Sequence, residues 1–324
     1  MDKATVKTRL LIISDTHGMD LDLADIPFQR ADVAIHCGDL TEGSKLNEFR
    51  TTIKILKDID APLKLAIAGN HDFTLDDVAF EKKVVEAVPP LDPELVAKEY
   101  GTIGEAKKIF EDAKEAGIIL LDEGTHHFTL QNGARLTVYA SPYTPALGAW
   151  GFQYPSERGH NFSIEKGADI VMTHGPPKGI LDYTYGRERA GCADLFAVVA
   201  YARPQLHCFG HIHEGWGAKL VTWRDTYGER PTHFTAIDNS SSHVIETLAS
   251  LEPSRFDTKA AAQKLKRLEH YKLARCCHTS HCTGNEYPIN NEQTLFVNAS
   301  IQGSGGLLTQ RPWLVDIELR RAVR

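Results

Sequence analysis

Short apolar runs, each cut off by a small polar cluster, set the rhythm of this chain. Leu10-Leu11-Ile12-Ile13 stops at Ser14-Asp15-Thr16-His17-Gly18. Ala31-Asp32-Val33-Ala34-Ile35 runs into His36-Cys37-Gly38-Asp39, and Leu63 to Ala68 into Gly69-Asn70-His71-Asp72. Ala168 to Thr173 ends at His174-Gly175-Pro176-Pro177, and Leu206 to Phe209 at Gly210-His211-Ile212-His213. Runs of this length and β-branching predict buried strands. Between them, Leu46, Phe49, Ile53 and Leu56 fall at helical spacing and predict a helix from Ser44 to Ile59, with Ser44 as its N-cap. Residues 74–117 predict further helices, broken at Pro89-Pro90, and Ala193 to Ala202 predicts another before Pro204. Asn132-Gly133, set between Phe128–Leu130 and Arg135–Ala140, predicts a β-hairpin. Strands alternating with helices, each strand ending in polar groups, imply an α/β sheet with a common functional edge.

The rhythm breaks after Lys219–Trp223, itself a predicted strand. From Arg224 to Asn291 there is no clean alternation; Pro231, Pro253, Pro288 and the run Asp238 to Ser242 interrupt it, and Phe256 to Arg275 predicts a basic, alanine-rich helix. Strand patterning returns at Thr294–Asn298 and Leu314–Ile317. The expected organisation is one domain over residues 1–324, carrying residues 224–291 as a partly helical or irregular insertion. Another irregular stretch, Pro142 to Phe162, is rich in aromatic residues and either walls a pocket or packs as an Ω-loop.

Composition narrows the classes. A chain of 324 residues, 42% hydrophobic and 24% charged, is an ordinary globular protein. A net charge of −7 argues against nucleic acid as the main partner, and no apolar run reaches membrane-spanning length. Six scattered cysteines without a secretory leader predict free thiols in the cytoplasm.

The strand-end residues Asp15, His17, Asp39, Asn70, His174, His211 and His213 form a mixed oxygen and nitrogen set. Seven such groups exceed one tetrahedral ion and suit two divalent ions, with Asp39 as the carboxylate able to reach both. With no thiolate in the set, manganese, iron or zinc fits, manganese being preferred. Two ions roughly 3.5–4 Å apart can share a hydroxide and stabilise an in-line displacement at phosphorus. His71, next to Asn70, would point elsewhere and could protonate a leaving alkoxide, with Asp72 orienting its ring.

Taken in order, Asp15-Thr16-His17, Gly38-Asp39, Gly69-Asn70-His71-Asp72, Thr173-His174-Gly175-Pro176-Pro177 and Gly210-His211-Ile212-His213 resemble the motifs of the calcineurin-like metallophosphoesterase superfamily, in its metallophosphoesterase-domain-containing branch. The resemblance runs from about Arg9 to Trp223, plus Phe296 to Ser300. It implies a four-layer α/β/β/α sandwich with the site at the edge of its sheets. It also implies one ion on Asp15, His17, Asp39 and His213, a second on Asp39, Asn70, His174 and His211, and His71 as general acid. Leu40-Thr41-Glu42 lacks the arginine of the Ser/Thr protein phosphatase branch, Asp72 replaces that branch's glutamate, and the tyrosine ligand of purple acid phosphatases is missing. The expected activity is phosphodiester hydrolysis on a small or nucleotide-like substrate. The alternatives are a phosphomonoesterase, or a weakly catalytic metal-binding scaffold acting through residues 224–291.

Cys276-Cys277-His278-Thr279-Ser280-His281-Cys282 holds five potential zinc ligands. Adjacent ligands cannot all face one ion and no second cluster closes the loop, so exposed thiols and histidines in a loop are the expectation there.

Overall fold

The computed structural model describes residues 4–322 apart from 22–25, 28, 227 and 252–258. Its strands are β1 (Thr5–Ile13), β2 (Val33–His36), β3 (Leu63–Ala66), β4 (Ile118–Leu120), β5 (Gly124–Thr129), β6 (Arg135–Ser141), β7 (Thr144–Pro145), β8 (Gln153–Tyr154), β9 (Ile170–Thr173), β10 (Leu206–Phe209), β11 (Gly217–Trp223), β12 (Ile237–Thr247), β13 (Cys277–Ser280), β14 (Gln293–Asn298) and β15 (Trp313–Arg320). The helices are α1 (Leu46–Asp58), α2 (Asp77–Val85), α3 (Pro93–Tyr100), α4 (Glu105–Asp112), α5 (Ala193–Ala202), α6 (Leu248–Leu251) and α7 (Lys259–Ala274).

Alternation along the strands builds the layers. In β1, Leu10 and Ile12 face one way and Leu11 and Ile13 the other, and all four are buried. Leu10 and Ile12 join Val33, Ile35, Val138, Ile170, Leu206 and Val297 in a core between two sheets. Leu11 and Ile13 meet Phe49, Ile53 and Leu56 of α1 and Phe110 of α4. On the far side, Val171, Phe209 and Phe296 pack against Leu195, Phe196 and Val199 of α5. The protein is therefore a four-layer α/β/β/α sandwich. One sheet has the order β13-β15-β1-β2-β3-β4 and the other β12-β11-β14-β10-β9-β6-β5. β1 to β4 run parallel, as do β6, β9, β10 and β14, so their carboxyl ends gather at one edge of the molecule. There a bridge between Ser14 and Ser300 ties the two sheets together.

Three local expectations give way. Ser44 does not cap α1: it adopts a left-handed conformation and its hydroxyl bonds Thr74, while the Glu48 carboxylate accepts from Lys45 N at 2.9 Å and Gly43 N at 3.1 Å. The segment expected to be helical or irregular contributes a strand to each sheet. β12 pairs antiparallel with β11, and β13 pairs parallel with β15. The predicted helix from Phe256 is α7, with residues 256–258 outside the described set. The cysteine-rich stretch is built around the strand β13, with the thiols of Cys276, Cys277 and Cys282 buried, rather than being an exposed loop. Cys276 and Cys277 pack into different cores, on opposite faces of the sheet, and His278 bonds Asp316 at 3.0 Å. No described group of metal-ligating side chains includes any of these residues. Among the described residues, no helix is long and apolar enough to cross a membrane.

Candidate metal centre

Each motif turns sharply at its strand end. Asp15, His17, Asp39 and His211 all adopt the left-handed conformation that side chains ordinarily avoid. Backbone bonds lock the turns together: Asp15 N donates to Gly38 O at 3.0 Å and His17 N to Asp39 O at 3.1 Å. The glycines are steric necessities. A Cβ on Gly69 would collide with the Asp39 backbone and carboxylate, and one on Gly210 with the Asp15 carboxylate and Ser14.

The result is one constellation at the joined edge of the two sheets. Asp15, His17 and His213 form one group, Asp39, His174 and His211 another, and His17, Asp39 and His71 a third, with ligand atoms within 4.8 Å of one another in each. Asp39 lies between the first two: Oδ1 is 3.3 Å from His174 Nε2 and Oδ2 is 3.8 Å from His17 Nε2. Asn70 Oδ1 is 3.0 Å from His174 Nε2. His213 Nε2 lies 3.4 Å from both Asp15 Oδ1 and His17 Nε2. All seven strand-end residues are thus brought together.

The donor set fits divalent cations. Asp15 and Asp39 are buried, and among the described residues neither is paired with a lysine or arginine. Uncompensated buried carboxylates are costly. His174 Nδ1 bonds the Cys37 carbonyl at 2.9 Å, which directs Nε2 toward the two facing oxygens. Three acceptor-type atoms converging this way call for a cation or a proton between them. Without an ion, protons serve. Burial opposes charge on His174, but Asp39 and Asp15 outweigh it and lift the ring to about 9. His17 likewise rises to about 9 against burial, through Glu42, Asp39 and Asp15. His211 is pushed down to about 4 by burial and by the neighbouring His174. Burial works against ionising Asp15 and Asp39, yet the histidines hold both well below the usual carboxylate range.

His71 stands at the mouth. Its Nδ1 bonds the Glu42 carbonyl at 2.7 Å and its backbone N–H donates to Asp39 Oδ1 at 2.9 Å. Asp72 does not orient it. The Asp72 carboxylate is buried and accepts from Gly69 N (2.7 Å), Leu40 N (3.0 Å), Thr41 N (2.9 Å) and Thr41 Oγ1 (2.7 Å), stitching two of the turns together. Burial and the nearby Asp39 charge push it up to about 6 against those donors. Its expected role is corrected accordingly: Asp72 supports the turns, and the partner of the His71 ring is a main-chain oxygen.

A family model for the calcineurin-like phosphoesterase matches residues 8–215. The chain belongs to that family. A probable rhamnogalacturonate lyase C of Emericella nidulans is 33% identical over 218 residues, a match covering 66% of this phosphoesterase-family chain and 18% of the lyase. The human metallophosphoesterase domain-containing protein 1 is 33% identical over 221 residues, covering 65% of this chain and 62% of that protein. The match thus spans less than two thirds of either relative. Among solved structures, a phosphopantetheinyl hydrolase of Mycobacterium tuberculosis overlaps 67% of this chain and 85% of its own, at a TM-score of 0.38 and 15% identity, too distant a likeness to bear on function.

In this family member several supports carry no motif signature. Glu42 places Oε2 2.8 Å from His17 Nδ1, off the line of an N–H bond, while its carbonyl holds His71. Behind the ligands, His36 Nε2 meets Thr16 Oγ1 at 3.0 Å and His207 Nε2 meets Thr173 Oγ1 at 2.9 Å. Burial pushes both rings down to about 3, so they act as neutral hydrogen-bonding groups. A histidine inside an apolar run, one strand over from a motif threonine, is the only sequence trace of these pairs.

Proposed function

We propose that this protein is a dinuclear metal-dependent phosphoesterase acting on phosphodiesters of small, nucleotide-like size. Asp15, His17, Asp39 and His213 would hold one divalent ion, and Asp39, Asn70, His174 and His211 the other, with manganese preferred. The observation that carries the reading is Asp39, whose two oxygens face histidines of different groups at 3.3 and 3.8 Å with no lysine or arginine among the described residues to neutralise it. When bound, two such ions supply an activated water and charge stabilisation for displacement at phosphorus. The chain's own contribution is orientation and proton transfer. The Cys37 carbonyl fixes the His174 tautomer, and the strand-end turns fix the carboxylates before substrate arrives. His71, held through Nδ1 by the Glu42 carbonyl, presents Nε2 and delivers a proton to the leaving oxygen.

The test is hydrolysis of bis-p-nitrophenyl phosphate against p-nitrophenyl phosphate by metal-stripped protein refilled with manganese. Manganese-dependent cleavage, faster on the diester and lost in Asp39→Asn, is expected. Bound manganese with no turnover of either ester would sink the hydrolase reading.

A further inference from the structure

The irregular stretch after β6 is a built feature. β7 and β8 close its base with a short parallel ladder. Its tip is pinned beside the metal centre: Gly151 N donates to the Asn70 carbonyl at 3.0 Å, and Phe152 N to Oδ2 of Asp76, the residue capping α2, at 2.8 Å. Gly151 lies so close to Phe73 that an added Cβ would sit 2.7 Å from its Cα. These anchors deliver Trp150, whose indole stacks on the His71 imidazole with centroids 4.2 Å apart and planes at 28°. Lys83 Nζ lies over the same indole, 5.0 Å from its centroid. His17 meets His71 edge-on at 4.8 Å. Trp150 is 37% exposed and belongs to none of the buried cores, so core packing does not explain its placement.

The geometry points to Trp150 as a positioning residue that, by stacking on His71, fixes the direction in which this imidazole presents Nε2 to the leaving group; the inference rests on the phosphoesterase reading above. Among the described residues a single hydrogen bond to the ring, Nδ1 to the Glu42 carbonyl, sets one end of it but leaves it free to swing about that contact. The indole face removes that freedom, and the main-chain anchors at residues 151 and 152 keep the indole itself in place. Trp150 acts through His71 and leaves the metal-ligating groups untouched. Its loss therefore matters where the leaving oxygen needs a proton and little where it does not.

Two measurements decide it. The first is NMR of histidine-labelled protein, with the His71 resonances assigned by His71→Gln. Stacking places the His71 ring protons upfield; Trp150→Ala is expected to abolish that displacement and Trp150→Phe to keep part of it. The second is turnover of methyl aryl phosphates whose leaving groups run from 4-nitrophenol to phenol. Trp150→Ala is expected to lower kcat about 10²-fold for the phenol ester, a loss typical of a misplaced catalytic group. KM, metal content and turnover of the 4-nitrophenyl ester should hold, with Trp150→Phe restoring most of the loss. His71 resonances indifferent to Trp150, or equal losses on all esters, would overturn the inference. Wild-type protein that turns over no ester would overturn the hydrolase reading instead, while the ring-current measurement still decides whether Trp150 holds His71.

Discussion

Two buried carboxylate clusters lie in the same sheet and solve the same problem in opposite ways. Asp316, in mid-strand on β15, is fully buried and met by side chains of the chain itself: the cations Arg9, which grips both oxygens at 2.7 and 3.1 Å, and Lys7, whose Nζ lies at 2.9 Å, together with His278 Nε2 at 3.0 Å. Asp15 and Asp39, at the tips of β1 and β2, are paired among the described residues with histidines and main-chain N–H groups, on strained backbone. The first cluster is electrically complete and regular. The second is organised and conformationally costly, and its counter-charge comes from titratable histidines rather than from fixed cations. That combination separates a candidate metal centre from a structural ion-pair network, although both hold a buried aspartate beside histidine.

Interventions at each cluster should therefore diverge. Asp39→Asn is expected to cost activity at least about 10³-fold and to reduce metal content, because a neutral amide removes the charge shared by two ions; atomic absorption and diester turnover check it. Next, His71→Ala should slow esters with poor leaving groups by about 10²-fold or more and spare good ones, in line with the worth of a general acid. At the completed cluster, Arg9→Ala should leave metal content unchanged but destabilise by about 2 kcal/mol. That is less than the 3–5 kcal/mol of a buried pair broken outright, because Lys7 and His278 remain. Urea unfolding would show it, and a loss of metal in that variant would erase the contrast. Manganese at 100 times its Kd should stabilise the wild type by about 2.7 kcal/mol and the Asp39→Asn variant by far less.

The smallest effect is in acid. Burial opposes ionisation of Asp316, but its bonds to His278, Arg9 and Lys7 hold it well below the usual range. A depressed folded-state value means stability present above the unfolded aspartate range and lost as the pH falls through it, from about pH 5 downward. Asp316→Asn should flatten that acid limb of the melting curve; an unchanged limb would assign acid sensitivity to other carboxylates.

The difference between the clusters also explains what could be read beforehand. Asp15, His17, Asp39, Asn70, His174, His211 and His213 stood out because each closes an apolar run, which is local information. Strands β1, β9 and β10 and helix α5 were legible for the same reason: burial on both faces, or on one stripe, leaves a pattern within a single segment. The Asp316 cluster was silent, because its partners come from residues 7, 9 and 278, joined only by strand pairing. β12 was missed because its polar Asp238 to Ser242 run is exposed, so pairing with β11, rather than an apolar face, makes it a strand. The role of Asp72 was misread because sequence adjacency to His71 says nothing about direction, and its carboxylate turns toward the backbone of residues 40, 41 and 69.

The strands contributed by residues 237–247 and 277–280 have a consequence for solubility. Each occupies an outer position: β12 ends the seven-stranded sheet beside β11, and β13 ends the six-stranded sheet beside β15. Without them, β11 and the eight-residue, largely buried β15 would offer bare rows of N–H and C=O groups to any neighbouring chain. β12 and β13 make poor templates. One is serine-rich with two register shifts, and the other is only four residues long. Protein in which a short linker replaces residues 224–291 would keep β14, β15 and every residue of the metal centre and yet be expected to self-associate through its opened sheets.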